Sequence, residues 1–270
     1  SPTMKANKPT AVMKTIGSTQ DDSTRAIIDR ALNIMKQTTR QHAAARLNTT
    51  LDRFNQAKST HTESMLKLND INAAIARSEK ERQNALEENA QAERSWRTRF
   101  RELRGVMTPE MKAEHSQRTA SREMAEEFTG LIAELETDKS RAMLYACDSG
   151  KEYVSAHLEA FSICARHEWA AVMENISPAL IHAFALRLRG LELNGEEHPH
   201  NILYRELGEH VLMQSRYYAF NMEQEPVISL LGLHRPALTG VDMTLYKSPI
   251  QRRKLAESLA AKRKAKEAPS

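Results

Sequence analysis

The chain has 270 residues, of which 40 % are apolar, 5 % aromatic and 27 % charged. This length can support one large domain or two modest ones, but the composition is poor in the side chains that fill a wide globular interior. Glycine and proline are both absent from residue 18 to residue 104, a stretch of 87 residues. Such a stretch without helix breakers argues against a Rossmann sheet, a barrel or a sandwich and favours long helices.

The formal net charge of +4 is unevenly distributed along the chain. Residues 247–267 hold eight Lys or Arg and two Glu, which gives +6 there and −2 for all the rest. A local basic segment indicates a partner-binding surface and does not make the whole chain a nucleic-acid-binding protein. No run of about 18 apolar residues is present and residues 1–14 lack the apolar core of a signal peptide, so we expect a cytosolic protein without a membrane span.

The N-terminal part predicts a disordered segment followed by a helix. Residues 1–17 are polar and contain two prolines, which is typical of a disordered segment. Ser18 and Asp21 then offer an N-cap and a first-turn acid, and Ile28, Leu32 and Met35 recur at helical spacing.

A long apolar stripe follows alternating steps of four and three residues over eight heptads. Ten of its seventeen positions are apolar, and charged residues interrupt its middle, so we expect this helix to pack against a partner helix mainly at its two ends. The positions are Leu47, Leu51, Phe54, Lys58, His61, Met65, Leu68, Asn72, Ile75, Glu79, Arg82, Leu86, Asn89, Glu93, Trp96, Phe100 and Leu103.

A short turn near residues 105–108 predicts a long antiparallel helical hairpin, resembling a coiled coil, over residues 18–149. Gly105 ends the first arm, and Thr108 with Pro109 predicts the N-cap and first residue of the second. The returning arm carries Met111, Met124, Phe128, Leu131 and Leu135 on its apolar stripe. A helical pattern continues past Gly150, where we expect a kink.

Residues 150–246 are predicted to form a compact helical core, because ten of the fourteen aromatic residues fall between Tyr145 and Tyr246. Helices are predicted from Pro178, from about His200 to Met222, and briefly from Pro226, with a loop over residues 234–244. The buried side of the second of these is predicted to carry Leu203, Leu207, Val211, Leu212 and Tyr218. No segment alternates convincingly, so we expect an all-α chain without strands.

The last segment, residues 247–270, is predicted to form a basic helix that begins with Ser248 and Pro249. A narrow apolar stripe on this helix lies between two clusters of Lys and Arg, which is the layout of a docking helix. An equally favoured interpretation is a solvated tail whose stripe touches the parent core. Nucleic-acid binding is not expected, because no aromatic residues for base stacking are interleaved with the cations.

No pattern in the sequence predicts a catalytic site, a cofactor site or a metal site. Gly-rich phosphate loops are absent, and the zincin-like start at His167 has Ala171 where its second histidine must fall. His198 and His200 lack a third fixed ligand, so a polar surface loop is the favoured interpretation. The acidic residues Glu192, Glu196 and Glu197 near this loop are expected to be solvated.

Two histidines and two cysteines are predicted to be structural. His157 and His182 lie on otherwise apolar helical faces, where a hydrogen-bonded core histidine is the favoured interpretation. Cys147 and Cys164 are too few for a disulfide framework and lack a CxxC pattern, so both are expected to be reduced and buried.

Two runs of sequence match a known family. One is ISLLGLHRPALTGVD over residues 228–242, followed by KSPIQ over residues 247–251 and a basic, Ala-rich helix. The other contains Gly150, Tyr153, Val154, Ser155, His157, Glu159 and Ala160, followed by an Ala-rich stretch through Pro178. In this order the two runs resemble the Psu (polarity suppression) family of satellite phages over residues 145–264.

The resemblance implies an elongated, all-α, intertwined homodimer without catalytic activity, with residues 150–246 as its dimerisation region. It also implies binding to Rho, a hexameric RNA-dependent ATPase that terminates transcription, with inhibition of ATP hydrolysis and translocation. Decoration of the capsid exterior by binding the phage capsid protein is the second implied role. By position, the Rho contact falls on residues 248–264, so the expected partner-binding residues are Pro249, Gln251, Arg252, Arg253, Lys254, Leu255, Lys262 and Arg263.

We therefore predict a phage-encoded inhibitor of Rho-dependent termination that acts in the host bacterial cytoplasm and also decorates the virion surface. One alternative is a purely structural, scaffold-like capsid protein, and another is a basic-tailed nucleic-acid-binding protein. The chain departs from the family pattern by a longer N-terminus, longer hairpin arms and an extended segment around residues 192–203.

Overall fold

The computed structural model describes residues 21–269, and within this range the chain contains helices and loops but no β-strand. The predicted all-α class is confirmed. The helices are α1 (Asp22–Glu102), α2 (Pro109–Glu174), α3 (Pro178–Leu193), α4 (Pro199–Arg216), a 3₁₀ turn (Met222–Gln224), α5 (Pro226–Leu231), α6 (Met243–Lys247) and α7 (Pro249–Glu267). Within these residues no helix combines the length and apolarity needed to cross a bilayer.

The N-terminus of α1 is capped by Asp21. Its Oδ1 accepts a hydrogen bond from the Ser23 backbone N–H at 3.1 Å, and its Oδ2 accepts one from Thr24 Oγ1 at 2.7 Å. These hydrogen bonds stabilise the carboxylate and lower the pKa of Asp21. The predicted cap at Ser18 and the predicted disordered segment 1–17 lie outside the described residues.

The described residues form two compact units, each containing part of α1 and part of α2. The hairpin unit comprises residues 55–155 and 236–269. The α3–α4 unit comprises residues 21–54 and 156–235. The boundaries predicted from the sequence at residues 17, 149 and 246 stay predictions.

In the hairpin unit the arms of α1 and α2 run antiparallel. Near the turn, Trp96 Nε1 donates to the Met111 carbonyl oxygen at 3.1 Å. Far from the turn, His61 Nδ1 lies 2.8 Å from Ser149 Oγ. The turn between the arms contains Gly105, and Thr108 Oγ1 accepts from the Met111 N–H at 3.2 Å to cap α2.

The stripe that α1 buries differs at several positions from the stripe predicted by hydrophobicity. Ala57, Ser78 and Ala85 are buried, whereas the predicted positions one residue further on, Lys58, Glu79 and Leu86, are exposed. Likewise α2 buries Ala125 and Ile132 instead of the predicted Met124 and Leu131. Small side chains allow two helix backbones to approach closely, so Ala57, Ser78, Ala85 and Ala125 occupy the contact while their larger neighbours lie beside it.

The core of the hairpin unit brings α1, α2, α6 and α7 together. Buried residues Leu68, Ala146, Cys147, Val241 and Leu245 form its centre. Partly buried side chains pack around them, and these are Met65, Ala142, Met143, Leu144, Leu238, Tyr246 and Leu255.

Helix α2 continues unbroken through Gly150. A Cβ atom at this position would lie 3.3 Å from Leu238 Cδ2 and 3.4 Å from His61 Cε1. Gly150 therefore allows Leu238 and His61 to pack closely against α2, and α2 does not end at this residue.

The α3–α4 unit is held together by contacts between distant parts of the sequence. His157 Nε2 lies 3.0 Å from the Leu231 carbonyl oxygen, and the His157 ring lies 5.9 Å from that of Phe54. Arg40 pairs with Glu174 at 3.0 Å. Helices α3 and α4 contact each other through an ion pair of 2.8 Å between Arg187 and Glu206 and through the rings of Phe184 and Tyr204.

Two predicted element boundaries near the C-terminal third are wrong. The predicted helix from about His200 to Met222 ends at Arg216, before the exposed aromatic residues Tyr217, Tyr218 and Phe220. Inside the predicted loop 234–244, α6 begins at Met243, because Asp242 Oδ1 accepts from the N–H groups of Thr244 and Leu245. A short helix of this kind depends on its cap and its tertiary contacts rather than on a periodic pattern.

Candidate partner-binding site

The basic helix α7 is positioned by its N-cap and by its apolar stripe. Ser248 Oγ accepts from the Gln251 N–H at 3.2 Å, and Pro249 occupies the first turn, as the sequence predicts. Leu259 is buried, and Leu255 packs against the core of the hairpin unit. The apolar stripe therefore holds α7 against the hairpin unit of the same chain. The polar face of α7 carries the Lys and Arg side chains.

Arg252 differs from the other predicted partner-binding residues because the chain itself uses its guanidinium. Its Nη1 donates to the carbonyl oxygen of Leu245 at 3.1 Å and also to that of Tyr246. These acceptors lie at the end of α6, where the Leu245 carbonyl oxygen also accepts from the Ser248 N–H at 3.3 Å. Arg252 thus fixes the turn between α6 and α7.

The remaining predicted site residues on α7, apart from Leu255, are exposed. They are Pro249, Gln251, Arg253, Lys254, Lys262 and Arg263. Arg263 pairs with Glu267 one turn further on at 3.0 Å, and Lys266 Nζ lies 4.0 Å from Glu134 Oε1 of α2. Arg253, Lys254 and Lys262 present their charge to solvent, so they are the residues of this set best placed to contact an acidic partner.

The region beneath α7 contains a buried thiol and a cation over an aromatic ring. Cys147 is fully buried and free, and burial raises the pKa of its thiol. Lys151 Nζ lies 4.0 Å from the centroid of the Tyr246 ring.

Cys164 in the α3–α4 unit is also buried and free, and burial likewise raises its pKa. Both cysteines are buried and reduced, as predicted.

The chemistry-bearing residues considered from the sequence are scattered. His157 is a hydrogen-bonded core histidine, as predicted, but His182 is exposed, so its predicted core position is wrong. His198 and His200 are exposed, with ring centroids 6.4 Å apart. Across residues 21–269 no group of three or more His, Cys, Asp or Glu side chains is arranged to hold a metal ion.

A further surface was missed by the sequence analysis. Of the residues predicted on the buried side of the helix from about His200 to Met222, only Leu203 is buried, whereas Leu207, Val211, Leu212 and Tyr218 are exposed. Several other large apolar side chains of the α3–α4 unit are exposed as well, and they include Trp169, Val172, Ile181, Leu186, Leu193, Tyr204, Met213, Tyr217 and Phe220. Aromatic residues that predicted a core are thus divided between exposed and half-buried positions, because periodicity alone does not distinguish an internal contact from an external one.

Comparisons with known proteins agree with the helical architecture. The family described as "Phage polarity suppression protein (Psu)" matches residues 82–264. "Glycoprotein 3" of Enterobacteria phage P4 is 27 % identical over 216 residues, which cover 77 % of this chain and 88 % of that protein. A chain in a structure described as "Satellite phage P4 procapsid including size determination (Sid) protein" has the same fold, with a TM-score of 0.69 and 23 % identity. The match covers 83 % of this chain and 99 % of that one.

Proposed function

Because the chain belongs to the phage polarity suppression protein (Psu) family, we propose that it is a non-enzymatic binding protein that associates with a phage procapsid at the virion surface. The observation that carries this proposal is the backbone similarity to a chain from a P4 procapsid structure, which extends over 99 % of that chain. The match therefore includes nearly the whole fold of that chain, rather than one motif.

The surface of the protein supports binding as its activity. Helices α3 and α4 expose many large apolar side chains, and Tyr204, Leu207 and Val211 among them share one side of α4, while α7 exposes several cations. Exposed apolar patches of this kind mark interaction surfaces. A procapsid presents the same binding site many times, so modest single contacts are strengthened when copies of the chain that are joined to each other bind together.

The test is co-assembly with coat protein. The full chain is produced together with the coat protein that forms the P4 procapsid, and the particles are separated on a sucrose gradient and imaged by electron microscopy. We expect the chain to sediment with the shells, and the shell diameter is recorded because the similar chain comes from a procapsid that includes a size determination protein. A chain that stays at the top of the gradient, as it does without shells, would exclude procapsid binding.

A second candidate function is inhibition of Rho, and the polarity suppression family to which the chain belongs supports it. The matched residues include α7 down to Lys264, where Arg253, Lys254 and Lys262 are exposed. We propose that these three cations contact Rho, with Pro249, Gln251 and Arg263 beside them and with Arg252 and Leu255 holding the helix in place.

The Rho proposal is tested by the RNA-dependent ATPase activity of purified Rho. The full chain should lower the ATPase rate, and Ala at positions 253, 254 and 262 should weaken this effect. Replacement of the exposed Lys36, Lys80 and Lys112 by Ala removes the same charge elsewhere and serves as the matched control. An unchanged ATPase rate at saturating protein would contradict Rho inhibition, whether or not the chain binds procapsid shells.

Self-association is part of the same proposal. We propose that the apolar face of the α3–α4 unit is covered by a second copy of the chain, since the family resemblance implies a homodimer. Val211 is 52 % exposed, so Val211→Asp should leave the helicity unchanged and lower the sedimentation coefficient to that of a monomer. Glu209→Gln changes the charge of a neighbouring exposed residue and should leave the coefficient unchanged. A wild-type chain that is monomeric at all concentrations would contradict self-association.

A further inference from the structure

The C-terminal part of α2, which belongs to the α3–α4 unit, is apolar on two opposite faces. Its inner face is buried and includes Ala160 and Ile163. Its outer face carries a second apolar stripe, in which Leu158, Trp169 and Val172 are 62 %, 67 % and 61 % exposed. A helix that packs against its own chain on one side needs only one apolar stripe. The outer stripe is therefore apolar surface in excess of what the fold of the chain uses.

The outer stripe has the spacing of a coiled-coil seam. From Leu158 it steps by four and three residues through Ser162, Ala165 and Trp169 to Val172. Alternating steps of four and three keep side chains on one side of a helix, and such a seam is typical of a helix that packs along another helix. Because its large side chains are exposed, no part of the chain within residues 21–269 covers this seam.

The side chains of the outer stripe are arranged symmetrically about Ala165, which is exposed. Leu158 and Val172 each lie seven residues from Ala165, and Ser162 and Trp169 lie three and four residues from it. An identical antiparallel helix centred on Ala165 would place leucine against valine and tryptophan against serine. Large side chains would then face smaller ones, as close packing requires.

A parallel pair of the same helices packs less well. The two Trp169 side chains would face each other, and the two small Ser162 side chains would face each other across a gap. The antiparallel pair also gives Trp169 a polar partner, because the Ser162 hydroxyl of the second copy can accept a hydrogen bond from the indole N–H. The sizes and the polar groups of the stripe therefore favour a second copy in the antiparallel direction.

We infer that two copies of the chain pair through the outer stripes of α2, as antiparallel helices centred on Ala165. This inference rests on the self-association proposed above and names the residues of the α3–α4 unit that carry it. Two copies joined in this way bind two sites of a procapsid shell at the same time, which strengthens a modest single contact.

Engineered cysteines test the direction and the centre of the pair. Ala165→Cys should form a covalent dimer under mild oxidation, because the two copies of this position face each other. Leu158→Cys alone should not, since its two copies would lie roughly 21 Å apart along the helices. Leu158→Cys together with Val172→Cys should form the covalent dimer again. Non-reducing gel electrophoresis measures all three.

Two controls show whether cross-linking is specific. Ala133→Cys places a cysteine at another exposed position of α2, in the hairpin unit, and should give no covalent dimer. The wild-type chain should give none either, because Cys147 and Cys164 are buried.

Trp169→Ala tests the contribution of the largest side chain in the stripe. Because Trp169 is exposed in the single chain, the helicity should be unchanged. The dissociation constant of self-association should rise by about tenfold or more, since tryptophan is enriched among the residues that dominate binding at interfaces. Sedimentation velocity at several concentrations measures it. Leu66→Ala removes an apolar side chain that is 59 % exposed in the hairpin unit and should leave the constant unchanged.

The outcomes separate this inference from the proposals on which it rests. If the wild-type chain self-associates but Ala165→Cys does not cross-link and Trp169→Ala associates equally well, the outer stripe is not the interface, while self-association stands. If Leu158→Cys cross-links to itself as readily as Ala165→Cys, the helices are parallel and the inference is overturned. If the wild-type chain is monomeric at all concentrations, both self-association and this interface are wrong, and procapsid binding is still decided by the gradient.

Discussion

The two units of the molecule place their apolar residues differently. In the hairpin unit, α1 and α2 bury small residues against each other, and Leu68, Cys147 and Leu245 form a closed core with α6 and α7. In the α3–α4 unit, α3 buries only Leu191 and α4 buries only Leu203. The hairpin unit thus buries many of its apolar side chains in its own core, whereas many apolar side chains of the α3–α4 unit are exposed.

This difference separates side chains that stabilise the fold from side chains available to partners. A buried leucine contributes to folding whether or not a partner is present, because its surface is removed from water in every state of the folded chain. An exposed leucine contributes only when another molecule covers it. Mutations in the two units should therefore affect different measurements.

The largest expected effect comes from the core of the hairpin unit. Leu68 is 1 % exposed, so Leu68→Ala should lower the free energy of unfolding by about 2–5 kcal/mol. Leu212 of α4 is 51 % exposed, and Leu212→Ala should change the stability of dilute protein by about 0.5 kcal/mol or less. Urea denaturation followed by circular dichroism measures both. An equal, concentration-independent loss for Leu212→Ala would mean that α4 packs internally.

The next largest effect concerns the small residues between the hairpin arms. Ala85 is 8 % exposed, so Ala85→Leu should force the arms apart and destabilise the chain by about 1–3 kcal/mol. The adjacent Leu86 is 45 % exposed, and Leu86→Ala should have a much smaller effect on the same denaturation curve. If Leu86→Ala destabilised the chain more than Ala85→Leu, the buried stripe would be the one predicted from hydrophobicity.

The sequence predicted the helices better than it predicted their contacts. Pro109, Pro178, Pro226 and Pro249 begin helices as predicted, because proline at a first helical position acts locally. The buried stripe was displaced because hydrophobicity ranks Leu86 above Ala85, whereas close packing of two helices favours the smaller side chain. Tertiary packing of this kind is not encoded in the period of the apolar residues.

For the candidate site, the sequence predicted which residues are exposed better than it predicted which contacts they make. Charge counting located the exposed cations of α7, since solvation keeps such residues at the surface. It did not separate Arg252, which bonds to two carbonyl groups of α6, from Arg253, which is exposed.

A pH dependence is expected from His61 in the hairpin unit. Burial lowers the pKa of His61 below its usual value of 6.5, so the unfolded chain binds the proton at a higher pH than the folded chain. Stability should therefore fall as the pH drops below about 6.5, with a slope from this group of at most about 1.4 kcal/mol per pH unit, until the folded state also binds the proton.

His61→Gln tests this assignment. The variant loses a group that lies 2.8 Å from Ser149 Oγ, so its stability near neutral pH should be lower, but the part of the slope that arises from His61 should disappear. Urea denaturation at about pH 7.5 and about pH 5.5 measures the slope for both proteins. An unchanged slope in the variant would assign the pH dependence to other groups.

The smallest effect distinguishes two neighbouring arginines on α7. Arg252→Ala removes two hydrogen bonds to the carbonyl groups of Leu245 and Tyr246 and should cost about 1 kcal/mol of stability. Arg253→Ala removes an exposed charge and should change stability by about 0.5 kcal/mol or less while weakening binding to an acidic partner. Thermal denaturation and Rho binding, measured on both variants, separate the two roles. If Arg252→Ala leaves the melting temperature unchanged and abolishes binding, its guanidinium acts on the partner rather than on the turn between α6 and α7.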